Sequence, residues 1–316
     1  MKIWLLLLGL LFPYATAAQP PAARAVAITF DDLPFAAVPA EDNASLTRMT
    51  HKLLLHLQTG RVPAVGFVNE AKLYREGSLD PARVDLLRSW LHAGFELGNH
   101  TATHPSLNRV PLDAFEADLL QGETVTRPLM QSEGRTLHWF RHPFLHLGTT
   151  PEVRNAFQGF LAAHGYTVAP VTVNNSEWLF AVAYSRALAQ GDSDTAQRIG
   201  AAYVPYMNAA FARAEQQALD LFGRPIPHVL VLHANALNAD YFDALAAMLR
   251  QRGYRFIELA DALKDSAYAS TIGYSGFDGE SWLELWSRQA GLRPSHQPPV
   301  PGFVMQWAGP AANRGY

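Results

Sequence analysis

Two histidines, His100 and His104, stand four residues apart in GNHTATHPSLN, residues 98–108. On one turn of helix both imidazoles would point the same way, a spacing suited to holding one divalent metal ion. The pair alone also fits a structural or capping role, so a metal needs a third ligand from elsewhere. The chain has no cysteine, which removes thiolate sites and any disulfide framework and leaves carboxylates to complete a site. Asp31 and Asp32 come directly after the apolar run AVAITF, residues 25–30. Adjacent carboxylates at the end of a buried strand are costly unless a cation faces them. In a solvated turn, Asp32 would instead cap the next segment of chain. Further polar groups also come after apolar runs: Arg141 after TLHWF, Glu177 and Trp178 shortly after YTVAPVTV, and His233 after HVLVL. Taken singly, Arg141 reads as a surface ion pair or a partner for the aspartates, and His233 as a core histidine or a member of the same site.

The elements that must position these groups alternate. Short runs rich in β-branched residues at 25–30, 62–68, 95–97, 136–140, 166–173, 228–232 and 254–259 read as buried strands. Helical spacing separates them at 43–58, 81–93, 111–131, 151–164, 178–222 and 238–252, with a short helix to about residue 264. Asp80 and Pro81 make a helix start, Gly60, Gly94, Gly165 and Gly253 make stops, and Asn238 is expected to cap the helix after it. The long stretch 178–222 is expected to break near 191–193 and again at Pro205. This βα alternation argues for a parallel sheet covered by helices. An open doubly wound sheet and a barrel both fit. The polar groups after successive strands favour the barrel, where they would meet at the mouth formed by the strands' carboxyl ends.

The ends and the composition bound the rest. Met1, Lys2, an apolar run over residues 3–12 and the small residues 15–18 read as a secretory signal over residues 1–18, cleaved after Ala17 or Ala18. The run is short for a bilayer span of about 20 residues, which disfavours an uncleaved anchor. The mature protein is therefore expected to be exported, periplasmic or secreted, without stable membrane insertion. Its formal charge of −3 and 25 scattered Lys and Arg offer no basic stripe for nucleic acid. Residues 19–265 are expected to form one (β/α) domain and 266–316 a C-terminal extension, in which Trp282 and Trp286 share a helical face and pack on the barrel.

Four motifs stand in order: TFDD at 29–32, HTATH at 100–104, RHPF at 141–144 and LVLH at 230–233. Together they resemble those of the polysaccharide deacetylases, carbohydrate esterase family 4, over residues 25–264. The resemblance implies an α/β fold, a distorted seven-unit (β/α) barrel with a helical insertion before the sixth strand. It implies one divalent metal on Asp32, His100 and His104, zinc by default, with cobalt, nickel and iron also suited to nitrogen and oxygen ligands. The implied reaction removes N-acetyl groups from an N-acetylglucosamine-containing glycan. In it Asp31 is the base, His233 the general acid and Arg141 the partner of Asp31. The Phe144 backbone N–H faces the oxyanion, and Trp178 stands beside the substrate. An O-acetyl ester or small non-sugar amide substrate, or a non-catalytic glycan-binding relative, are the competing readings.

The chain also departs from the family pattern. The segment that usually carries an acid orienting the arginine reads VTVNNSEWLF, which leaves Glu177, Asn174 or Asn175 in that place and the orientation of Arg141 open. Phe144 stands where tyrosine is usual. His142 occupies a position where an apolar or small residue is expected, and no acid comes directly after His233. The insertion between Glu177 and Phe222 is expected to cover part of the mouth.

Overall fold

The run AVAITF and its two aspartates form a single strand, β1 (Ala25–Leu33), buried on both faces from Ala25 through Asp31. A continuously apolar strand of this kind has no solvent face and belongs at the centre of a parallel sheet. The computed structural model describes residues 24–273, 276 and 278–310, so the signal expected over residues 1–18 lies outside the described residues. After β1 the chain runs through α1 (Asn43–Thr59), β2 (Ala64–Val68), the hairpin β3 (Tyr74–Arg75) and β4 (Ser78–Leu79), α2 (Pro81–His92) and β5 (Glu96–Asn99). It continues with α3 (Leu112–Gln121), α4 (Thr126–Ser132), β6 (Trp139–Phe140), α5 (Pro151–Ala163), β7 (Thr167–Val168), α6 (Glu177–Ala189) and α7 (Ser193–Phe222). The remaining elements are β8 (His228–His233), α8 (Ala236–Gln251), β9 (Arg255–Phe256), α9 (Leu259–Ala262), α10 (Trp282–Gln289) and α11 (Gly302–Ala308).

The main sheet has seven strands in the order β7-β6-β5-β2-β1-β8, with β9 paired to the first residues of β1. Every pairing in it is parallel. The run expected as one strand over 166–173 is divided. Its first part pairs with β6, and its last residue, Val173, bridges Leu230 of β8. Thr172 and Val173 both donate their backbone N–H to Val229 O at 3.0 Å. Pro170 lies between the two parts and has no N–H to continue a ladder. One stretch of chain thus starts beside β6 and ends beside β8, which brings the two edges of the sheet together as a distorted barrel.

Other departures have local causes. The helix expected over 111–131 is two helices, because the buried Glu70 carboxylate accepts from Val125 N (3.0 Å), Thr126 N (2.6 Å) and Thr124 Oγ1 (3.0 Å) and starts α4 there. Pro205 does not break α7. The carbonyl it leaves without an intrahelical donor belongs to Ala201, which is exposed to water. The cap of α8 is Asn235 rather than Asn238, its side chain accepting from Asn238 N at 2.9 Å.

The extension packs on the insertion as well as on the barrel. α10 lies on α7 and α11 on α6. Arg213 of α7 binds Glu284 and donates to Ser295 O, and Trp286 is buried between the rings of Phe222 and Tyr268, at 5.5 and 5.8 Å. Trp282 donates its backbone N–H to Val171 O at 2.7 Å. Gly279 lies so close to the Phe144 carbonyl that a Cβ there would sit 2.0 Å from its oxygen.

Candidate functional site

The pairing of β1 with β2 shifts register between Phe30 and Leu33. Asp32 sits within that irregularity at φ 68, so the two aspartates turn apart instead of alternating across the sheet. Asp31 points into the barrel mouth opposite His233, its Cα partner across β8. Asp32 turns toward the loop after β5.

That loop carries the histidine pair, and it is not helical. Thr101 (φ 67) and His104 (φ 60) both adopt left-handed backbone, which folds the chain back so that the two imidazoles lie 4.8 Å apart. Side chains from neighbouring elements hold this strained turn. Asn99 Oδ1 accepts from Thr101 N at 2.7 Å, and Asp118 Oδ1 accepts from Ala102 N and Thr103 N, each at 2.9 Å. Asn69 Nδ2 donates to His100 O at 2.5 Å. Gly122 leaves room for the loop, since a Cβ there would sit 2.4 Å from Thr101 C.

Asp32, His100 and His104 each offer one ligand atom, all within 4.8 Å of one another. The set suits a divalent cation on chemical grounds. His100 Nδ1 donates to Arg141 O at 2.8 Å, which leaves the Nε2 lone pair free to ligate. Burial, then the neighbouring His104, holds His100 well below the ordinary imidazole range, and burial lowers His104 too, so both stay neutral. Asp32 Oδ1 is buried and accepts no hydrogen bond. Burial would raise the Asp32 carboxyl, but Lys72 and then His104 hold it below the usual carboxylate range. One anionic and two neutral donors leave coordination positions open, as a catalytic rather than a structural site requires.

Asp31 is also buried, with Arg141 Nη1 at 3.5 Å and His100 Nε2 at 3.8 Å from its Oδ2. Burial outweighs Arg141 and pushes the Asp31 carboxyl up to about 6. Arg141, itself 1 % exposed, is aimed from three sides. Its Nη2 donates to Thr29 Oγ1 at 2.9 Å, its guanidinium lies 4.7 Å above the Phe67 ring, and its Nη1 faces Asp31. No acid from the VTVNNSEWLF segment is involved. Thr29 stands in the TFDD motif two residues before Asp31, a spacing that puts both on one face of the strand.

The acid of that segment serves the other side of the cavity. Glu177 Oε2 accepts from His233 Nδ1 at 2.7 Å, and Oε1 accepts from Asn235 Nδ2 (2.5 Å) and Asn238 Nδ2 (2.6 Å). Asn238 Nδ2 also donates to His233 O at 2.9 Å, and Tyr203 OH donates to Asn238 Oδ1 at 2.8 Å. Burial disfavours a charged His233, yet the Glu177 carboxylate overcomes it and raises the imidazole above its ordinary value. With Nδ1 on Glu177, proton transfer falls to Nε2. Glu177 was legible only as an acid of uncertain partner, and Asn238 only as a cap, because neither β8 nor the turn before α8 is near α6 in sequence.

Asp31, His100, Phe144, Trp178 and His233 line one narrow cavity, together with Leu145, Asn174, Asn175 and Val231. Phe144 has left-handed backbone (φ 57), and its ring meets that of His104 edge-on at 4.3 Å. Only the first turn of α6, through Trp178, reaches the cavity; the rest of α6 packs against α7, α8 and α11. Asp32 and His104 adjoin this cavity through His100, and Arg141 adjoins it through Asp31. His142 is buried behind it, against Phe140 and Phe157.

The polysaccharide deacetylase family model matches residues 18–168, taking in TFDD, HTATH and RHPF. Among solved structures, a mutant of a CE4 family pseudoenzyme from Bacillus anthracis is 16% identical, with a TM-score of 0.50, over 77% of this chain and 68% of that one. The peptidoglycan deacetylase PdaC from Bacillus subtilis is 17% identical, TM-score 0.47, over 78% and 93%. A polysaccharide deacetylase from Bacillus cereus is 16% identical, TM-score 0.49, over 74% and 91%. At such identities the likeness is one of fold. Comparison with curated proteins gave no match.

Proposed function

Residues 18–168 match the polysaccharide deacetylase family model, and on that basis we propose that the chain is a metal-dependent hydrolase removing N-acetyl groups from an N-acetylglucosamine-containing glycan. The observation that carries this reading is a base and an acid side by side on neighbouring strands and lining one cavity, each with its own buried counter-charge: Asp31 with Arg141, and His233 with Glu177. Asp32, His100 and His104 would hold a divalent cation, zinc by ligand type, which would supply Lewis-acid polarisation of the acyl carbonyl when bound.

The chain's own groups account for the proton transfers. Asp31, ionised and aimed by Arg141, takes a proton from the water that attacks the acyl carbon. The Phe144 backbone N–H faces the developing oxyanion. As the C–N bond breaks, His233 Nε2 gives its proton to the departing nitrogen, so that acetate and a free amine leave. Glu177 holds Nδ1–H and stabilises the charged imidazole before that transfer. Trp178 forms the wall against which the substrate rests.

The apolar part of the cavity wall, Phe144, Leu145 and Val231, favours as second reading an O-acetyl ester or a small non-sugar amide handled by the same groups. A non-catalytic role fits less well, since a binding relative has no use for two buried acid–base pairs. We further infer an exported protein, periplasmic or secreted, with residues 19–265 as the catalytic domain; no helix among the described residues is long and apolar enough to cross a membrane. The test is acetate release from N-acetylglucosamine oligomers by metal-stripped protein reloaded with zinc or cobalt, beside Asp31→Asn. Restored release that vanishes in the variant is expected. Stoichiometric metal binding without acetate release from any oligomer would reject the glycan substrate.

A further inference from the structure

Lys72 takes part in none of these proton transfers, yet its ammonium is built into the metal site. It projects from the turn after β2, at Glu70–Leu73, and its side chain is 30% exposed. Nζ donates to two backbone carbonyls of the strained β1 turn, Asp32 O at 3.3 Å and Phe35 O at 3.2 Å, and lies 3.3 Å from Asp32 Oδ1. Leaving for solvent would cost it both carbonyl contacts. The turn that carries it is anchored as well: Asn69 N donates to Leu33 O at 3.1 Å, and Arg83 Nη1 donates to Lys72 O at 2.8 Å.

Each of the two adjacent aspartates already has a cation of its own. Asp31 and Asp32 carry two negative charges, Arg141 faces the first and Lys72 the second. His100 and His104 would ligate as neutral imidazoles, and Asp118 holds their loop through Ala102 N and Thr103 N. Glu177 and His233 form a pair of their own. A divalent cation that binds Asp32 therefore meets a positive charge already held on the carboxylate it needs. Like charges a few ångströms apart in a protein interior repel strongly.

We propose that Lys72 is a positioning residue and resident counter-ion of Asp32, one that fixes the ligand's turn and lowers the site's affinity for a divalent cation. The proposal rests on reading Asp32, His100 and His104 as a metal site. It makes that site one that loads only where the metal is plentiful and releases it readily.

Cobalt(II) titration of the metal-stripped full chain tests this by calorimetry and by the visible absorption of the bound ion, with wild type beside Lys72→Gln, Lys72→Met and Lys72→Arg. The two neutral variants are expected to bind cobalt at least about tenfold more tightly, equivalent to about 1.4 kcal/mol. The absorption spectrum should be unchanged, and the arginine variant should stay near wild type. A merely structural tie predicts the opposite, weaker binding in every variant. If Lys72→Met does not fold, Lys72→Gln, which keeps a donor for the carbonyls, decides the question. Equal or weaker binding in the folded neutral variants, with wild type still taking up one cobalt, overturns the role of Lys72 and leaves the metal site standing. No cobalt binding in any of the four proteins overturns both.

Discussion

Replacing Glu177 by glutamine removes one charge and nothing of the side chain's size, yet the structure gives it large consequences. The carboxylate accepts three side-chain hydrogen bonds, from His233, Asn235 and Asn238, and all four residues are buried. Glutamine has one acceptor oxygen and one NH2 group. With the oxygen kept on the two asparagine NH2 groups, the NH2 faces His233 Nδ1, which can then only accept, so the doubly protonated imidazole has donor against donor. Breaking a buried charge pair from one side costs about 3–5 kcal/mol. His233 also loses the partner that overcomes its burial, and its pKa should fall from above the ordinary 6.5 to below it. That shift sets the sign of the stability effect. A histidine with a raised folded-state pKa stabilises the fold below pH 6.5, and this contribution is lost as pH rises through the folded pKa. Wild type and Glu177→Gln should therefore differ more in unfolding free energy at pH 5.5 than at pH 9. For a general acid deprived of its charge partner, kcat/KM should fall by about 100-fold, and the alkaline limb of the rate profile should move toward acid. Glu177→Asp, which keeps the charge, should retain most of the His233 shift. Imidazole NMR across pH reads the titration directly, with urea unfolding at the two pH values beside it. A His233 pKa unchanged in Glu177→Gln would refute the pairing as the source of its basicity.

Three other outcomes are expected. Acetate release should be bell-shaped in pH, rising as Asp31 ionises through about 6 and falling as His233 loses its proton above its ordinary 6.5; a profile flat on the acid side would remove Asp31 as base. Gly122→Ala should push the Thr101 backbone away, lowering stability by about 1–3 kcal/mol and metal affinity by about tenfold, and calorimetry showing wild-type cobalt affinity would contradict that account of the loop. Burial holds His228 down to about 4 and His142 down to about 3, so the unfolded chain binds more protons below pH 6.5. Stability should fall as pH drops from 6.5 toward 4, by on the order of 3 kcal/mol from His228 alone, and an unfolding free energy constant over that window would count against neutral burial.

Features that depend on local pattern were legible in the residues alone. Runs of β-branched residues with turn signals at their ends gave the strands, and because a parallel βα barrel gathers the carboxyl ends of its strands, TFDD, HTATH, RHPF and LVLH could be placed at one mouth from their positions alone. Asp80 and Pro81 start α2 as their chemistry requires. Where tertiary contacts compete with local preference, the sequence was silent or misleading. The spacing of His100 and His104 suggests a helix, but the backbone is bent by contacts from Asn69 and Asp118, 31 residues before His100 and 15 after Thr103. The partner of Glu177 was open from sequence, because Glu177 and His233 are separated by 56 residues and all of α7. Only the folding of α6 against β8 decides that the acid serves the histidine and leaves Arg141 to Thr29 and Phe67. Lys72 gave no signal, since a lone lysine in a polar turn is normally solvated; the structure brings it to Asp32, 40 residues away. Residue types and their spacing set which chemistry was available, and long-range packing, which no local pattern encodes, set which group acts on which.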